Sequence, residues 1–189
     1  MEKLIGLKKV KTAVFISGTG SNLRNLIKFA KIKMSPISVD LIISNTCKAK
    51  GLRFADEFKI KKKIFDLRNN EKNILSLLKK EKIKLICLAG FMKILSNDFI
   101  KKFDGKIINI HPSLLPKYKG LNTHSRAINN KDKFTGCSVH YVTARLDSGK
   151  VILKSIIKIL AKDTATTLAK KVLIQEHKLY PAAIMKIFN

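Results

Sequence analysis

The sequence predicts an α/β fold on one mainly parallel sheet, and three observations carry that expectation. Apolar β-branched runs alternate with amphipathic helical patterns through the first two-thirds of the chain, as βαβ units do. The 189 residues are 46% hydrophobic and 28% charged, enough apolar material to bury a core of one domain's size. No repeat, low-complexity stretch or Ser/Gly/Pro linker divides them.

Taken in order, Thr12–Ser17 reads as a buried first strand, and Ser21 to about Lys33 as a helix with Leu23, Leu26, Ile27 and Ala30 on one face. Ile37–Ser44 is a second strand and Lys48–Phe58 a second helix. Lys62–Asp66 is a short third strand, followed by a helix over Asn70–Lys80 with Ile74, Leu77 and Leu78 inward. Leu85–Gly90 is a fourth strand ending in a glycine turn, and Lys106–Ile110 a fifth. The pattern then breaks into a loop, His111–Gly120, that holds Pro112 and Pro116. Thr135–Val142 and Val151–Ile159 are strands joined by a polar turn over Thr143–Lys150. A last helix runs from about Thr164 to Ile187 with Asp163 as its cap.

Composition narrows the function classes. No apolar run approaches the roughly 18 residues of a membrane span, and the first nine residues show neither a signal-peptide core nor a transit peptide. Three widely spaced cysteines, Cys47, Cys87 and Cys137, form no CxxC pair and no paired disulfide framework. Mean hydropathy is +0.01, and a cytoplasmic protein is expected. The net charge of +26 invites a nucleic-acid partner. Against that, only five of the 39 basic residues are Arg and the 34 lysines are spread along the chain, whereas phosphate and base recognition favours the Arg fork. A small anionic substrate suits the same charge.

Two stretches carry chemistry. In Ser17-Gly-Thr-Gly-Ser-Asn22 the glycines allow close approach of a ligand, and the following helix N-terminus offers free N–H groups and a positive dipole end. A tight turn capped by Asn or Ser would look the same. Leu23 stands where a dinucleotide fingerprint needs its third glycine, Ser44-Asn45 where it needs an acid, and no Walker A lysine follows. The loop therefore suits a lone phosphate.

In the second stretch, Asn109-Ile-His-Pro-Ser-Leu-Leu-Pro116, strand alternation places Asn109 and His111 on one side of a strand at its carboxyl end. An amide and an imidazole together can hydrogen-bond an oxygen gaining negative charge, and imidazole can move a proton. Asp147, in the turn before Gly149, is a candidate to fix the imidazole and raise its pKa. The alternatives are a strand-end histidine and a solvated turn carboxylate. The four histidines lack zinc-helix spacing, and Ser113 is in no nucleophile elbow.

The chain resembles the phosphoribosylglycinamide formyltransferases in Ile16–Leu23, Leu88–Leu95, Ile108–Gly120, Gly136–His140, Leu146–Gly149 and Gln175–Pro181. The Asn-x-His-Pro-Ser-Leu-Leu-Pro segment is shared with other formyl-folate enzymes. The resemblance implies a single formyltransferase domain over 1–189 with a doubly wound, Rossmann-like sheet. Its phosphate-binding half, about 12–105, would hold the ribonucleotide through Gly20, Ser21 and Asn22, with Glu176 on the same substrate. Its folate and catalytic half is about 106–189. The donor, 10-formyltetrahydrofolate, would lie against Arg68, Met92, Lys93, Ile94, Leu95, Asn109, Thr143, Ala144, Arg145, Leu146 and Asp147. Asn109 and protonated His111 would stabilise the tetrahedral oxyanion, with Asp147 raising the His111 pKa. No metal is implied, and a monomer or homodimer is expected. Lys93 stands where relatives commonly have Arg, and Leu173 where a Gln often contacts the ribonucleotide.

The nearest rival, a formyltetrahydrofolate deformylase, would need no phosphate cradle. A methionyl-tRNA formyltransferase shares the Asn-x-His core and is expected to carry a second, tRNA-binding domain. A non-catalytic folate or nucleic-acid binder should have lost Asn109, His111 or Asp147, and all three are present.

Overall fold

The computed structural model describes residues 8–188, with 67–69 described by their backbone alone; the first seven residues, read above for a leader, lie outside that range. Seven strands form one sheet: β1 (Val10–Ile16), β2 (Ile37–Ser44), β3 (Lys61–Ile64), β4 (Leu85–Leu88), β5 (Lys106–His111), β6 (Phe134–Tyr141) and β7 (Val151–Lys158). Their spatial order is β3-β2-β1-β4-β5-β6-β7. The first five are parallel, while β5–β6 and β6–β7 are antiparallel. The α/β, mainly parallel expectation is therefore met.

Alternation along the central strands explains why the sheet must be covered on both faces. Val14 and Ile16 of β1, Ile42 of β2, Leu85 and Cys87 of β4 and Ile108 and Ile110 of β5 point into one core. Their sequence neighbours Ala13, Phe15, Leu41, Ile43, Ile86, Leu88 and Ile107 point into the other. Helices α1 (Ser21–Lys31), α2 (Arg53–Glu57) and α6 (Ala165–Phe188) close the first core, and α3 (Leu67–Lys80) and α4 (Asn97–Lys102) close the second. This is a doubly wound arrangement with its strand order reversing between β1 and β4, the place where such sheets open a ligand crevice. Strand β3, Lys-Lys-Lys-Ile, is exposed at every position, and its lysines discourage pairing at that sheet edge.

Four features differ from the sequence reading. The second helix, predicted as one element over Lys48–Phe58, is a 3₁₀ turn at Lys50–Leu52 followed by α2. The cause is Gly51, whose N–H bonds the Gly18 carbonyl at 3.0 Å and so leaves the helix ladder. Helix α4 and α5 (Thr123–Asn129) were not predicted. At six and seven residues they span too few turns to show an apolar period, although Ser96 caps α4 through its Oγ, 3.0 Å from the Phe99 N–H. Asp163 does not cap α6. Thr164 does: its Oγ1 accepts from the Thr167 N–H at 3.2 Å, and Thr167 Oγ1 accepts from the Thr164 N–H at 2.9 Å. This is a capping box with Thr in the acidic position, while Asp163 accepts instead from the Leu160 N–H and Lys171.

Candidate active site

A cleft of about 1140 Å³ opens at the carboxyl ends of β1, β4 and β5. Its floor at one end is the turn from β1 into α1, and Gly18, Thr19, Gly20, Ser21 and Asn22 all line it. Gly20 adopts φ +78°, and a Cβ there would stand 2.6 Å from Gly51 Cα. Conversely, a Cβ on Gly51 would meet Gly20 Cα at 2.8 Å. Two glycines are therefore needed where the turn lies against the 3₁₀ segment. No side chain caps α1 and no acid lies in its first turn, so the Asn or Ser cap considered above is not made. The helix N-terminus faces the cleft without a capping side chain, a geometry that favours an anion.

Beside the cradle, Asn22 Nδ2 donates to Glu176 Oε2 at 2.7 Å, with both residues buried. Burial pushes the Glu176 carboxyl above its ordinary range, and the Asn22 hydrogen bond offsets part of that shift. Asn22 Oδ1 is buried without a hydrogen-bond partner among the described residues.

The other polar cluster lies at the end of β5. His111 is 6% exposed; its Nε2 is 2.9 Å from the Tyr118 carbonyl and its Nδ1 is 3.3 Å from Asp147 Oδ2. The contact between His111 and Asp147 expected from the sequence is made. The net shift nonetheless runs downward. Burial lowers the His111 pKa by more than the Tyr118 carbonyl and the Asp147 charge raise it. Asp147 acts in the expected direction, but the dry wall of the cleft outweighs it. Both ring nitrogens nonetheless face acceptors, so the imidazolium, with two N–H donors, would satisfy both contacts.

Asp147 itself adopts φ +45°, and its Oδ2 accepts from the Gly120 N–H at 2.8 Å. Burial raises its pKa, but the neighbouring His140 ring, the Gly120 N–H and the His111 imidazole hold it below the ordinary carboxylate range. It is the anion of the site.

Of the residues assigned to the donor, Met92, Lys93, Ile94, Leu95, Asn109, Thr143, Ala144, Leu146 and Asp147 line the cleft. Arg145 is not among its lining residues, and the Arg68 side chain lies outside the described residues. Met92, Ile94 and Leu146 are exposed apolar side chains on that wall, which an aromatic ligand would cover. Ser17 ties the two ends together, since its N–H bonds the Gly90 carbonyl and its Oγ accepts from the Met92 N–H at 2.8 Å.

Sequence reasoning missed His140, Gly120 and Tyr118. Only the antiparallel β5–β6 register, which sets Asn109 opposite His140, reveals the first. The other two act through backbone atoms and leave no side-chain signal. Among the described residues, no group of three or more His, Cys, Asp or Glu side chains is arranged to hold a metal ion, and no helix is long and apolar enough to cross a membrane.

A doubly wound sheet, an anion cradle and an Asn-His-Asp cluster in one crevice together define a group-transfer enzyme of the α/β class. The sequence pattern of the formyl transferase family matches residues 10–184. The chain belongs to that family. It is 40% identical to a phosphoribosylglycinamide formyltransferase of Haemophilus influenzae, over 92% of this chain and 85% of that protein. It is also 40% identical to the human trifunctional purine biosynthetic protein adenosine-3 over 95% of this chain, which is only 18% of that longer protein. The crystal structure of phosphoribosylglycinamide formyltransferase from Brucella melitensis superposes with a TM-score of 0.90 at 40% identity, covering 95% of this chain and 96% of that one.

Proposed function

We propose that this protein transfers the formyl group of 10-formyltetrahydrofolate to the amine of 5-phosphoribosylglycinamide, a step of de novo purine (IMP) biosynthesis. The observation that carries the reading is the sharing of one cleft by the Gly18–Asn22 cradle and the Asn109-His111-Asp147 cluster. The cradle takes the acceptor's phosphate, and the buried Glu176 lies on the same side, where the acceptor's polar groups would reach it. The exposed apolar wall at Met92, Ile94 and Leu146 takes the donor's ring system.

In the reaction, the acceptor amine forms a bond to the formyl carbon and the carbonyl oxygen becomes an oxyanion. Asn109 Nδ2–H donates to that oxygen and the positive charge of the nearby His111 imidazolium, its N–H groups held by Tyr118 and Asp147, stabilises it, the charge-stabilising arrangement that dominates acyl transfer. Asp147 offsets part of the cost of charging a buried imidazole and fixes its ring. Collapse breaks the carbon–nitrogen bond of the donor, and the proton lost by the amine passes, through water, to the donor nitrogen. The two halves, about 12–105 and 106–189, would then divide acceptor from donor within a single domain.

The test is mass-spectrometric detection of formylated ribonucleotide from 10-formyltetrahydrofolate, with and without acceptor. Product is expected only with acceptor. His111→Ala should lower kcat by about 10²- to 10³-fold while both ligands still bind. Formate released at full rate without acceptor would instead make the protein a deformylase, and unchanged turnover in His111→Ala would remove the mechanism.

A further inference from the structure

We propose that His140 is a positioning residue, which holds the Asn109 amide with its N–H₂ end toward the reacting oxygen. This rests on the reading of Asn109 as an oxyanion donor. Asn109 and His140 lie directly opposite one another on the antiparallel strands β5 and β6, so their side chains share a face. His140 is 2% exposed and lines the same cleft.

With the His140 ring neutral, its hydrogen bonds form a chain that runs in one direction. His140 Nδ1 is 2.8 Å from the Tyr141 carbonyl, an acceptor, so Nδ1 carries the proton and Nε2 presents its lone pair. Nε2 is 3.2 Å from Asn109 Nδ2 and accepts one of the two amide hydrogens. Among the described residues, the second hydrogen has only Asp147 Oδ1 nearby, at 3.5 Å, too long to bind it firmly. That hydrogen is the one left for an oxygen bound in the cleft.

The reversed amide is disfavoured twice. It would set Asn109 Oδ1 against the Nε2 lone pair and against the Asp147 carboxylate, which lies 3.5 Å from His140 Nε2. In this orientation it would also offer a lone pair, not a donor, to a developing oxyanion. An Asn side chain with no such neighbour can turn its amide either way, so the orientation is set by its surroundings. His140 supplies that orientation without touching the substrate.

The test is a double-mutant cycle in the full chain, with kcat and both KM values measured. His140→Leu removes the acceptor and should lower kcat by about 10- to 100-fold with little change in either KM. His140→Gln can return an acceptor oxygen toward the Nε2 position and should recover most of the loss. In an Asn109→Ala background, His140→Leu should change kcat by less than about threefold, because the group it acts through is gone. A merely structural histidine would give equal losses in both backgrounds and no advantage of Gln over Leu, and either result overturns the proposal. Long-range ¹H–¹⁵N correlation of the His140 ring in the wild-type protein should show the proton on Nδ1, and a proton on Nε2 instead overturns the proposal even if His140→Leu does not fold. If the wild type transfers no formyl group, the functional reading fails, while the ring measurement still decides the hydrogen-bond direction.

Discussion

At the scale of single residues, Glu176 shows how the site trades stability for binding. Its carboxyl is buried on α6 against Asn22, and desolvation raises its pKa above the ordinary 4.5. The folded state therefore binds a proton more tightly there than the unfolded chain does. Stability from this group is complete below pH 4.5 and is lost as pH rises through the raised value. At neutral pH the carboxylate is held at a cost, as befits a group kept for a ligand with N–H or O–H donors. Glu176→Gln should raise the thermal midpoint at pH 7.5, with the gain shrinking toward zero as pH approaches 4.5, while acceptor affinity falls at least about tenfold, or ~1.4 kcal/mol. Melting curves across pH beside acceptor titrations check both, and a variant less stable at neutral pH would mean that the carboxylate is satisfied within the fold.

At the scale of elements, the cradle is made by two segments, and it fails if either moves. Gly51 sits where a Cβ would meet Gly20 Cα at 2.8 Å and Ile16 Cδ1 at 2.9 Å, and its N–H holds Gly18. Gly51→Ala must push the 3₁₀ turn away from the phosphate loop, with an expected loss of about 1–3 kcal/mol of stability. Acceptor affinity should fall and donor affinity hold, read by separate titrations of the two ligands; an equal loss for both would point to general unfolding. The same elements show what the sequence could reveal. Strands β1, β2, β4 and β5 were legible because they carry short runs of apolar, largely β-branched residues, and Asn109 and His111 followed from period-two alternation. The mutual fit of Gly20 and Gly51 was not, since it joins residues far apart in the chain. His140 was hidden for a related reason: its partner depends on β6 running antiparallel, and pairing direction leaves no mark in one strand's own residues. The depressed His111 pKa was missed because burial belongs to the assembled cleft, whereas Asp147 was visible in the sequence.

For the whole molecule, the net charge of +26 and three buried or half-buried histidines make acid the weak side of this fold. Among the described residues, ion pairs with lysines hold Glu81, Asp56, Asp104, Asp98, Asp132 and Asp163, mostly at the surface, where such pairs contribute little. The 39 basic residues far outnumber the 13 acidic ones and repel one another. Burial is the leading cause that lowers the pKa of His111, His124 and His177 from the ordinary 6.5. In the unfolded chain each takes up a proton as pH falls through 6.5, whereas in the folded state each resists. The unfolded state therefore binds more protons in that interval, and stability falls on acidification. Glu176 works in the opposite direction, as a single group against three. Asp147, held below 3.8, contributes only at lower pH. The urea midpoint should thus drop between about pH 7.5 and pH 5.5, and drop more steeply in Glu176→Gln, which lacks the opposing group. Added salt separates the two causes. About 0.5 M salt, with a screening length of about 4 Å, should raise the whole curve by weakening lysine repulsion. It should leave the slope with pH in place, because that slope comes from desolvation within the fold. A slope that vanished in salt would assign the acid sensitivity to surface charge and remove the histidines from the account.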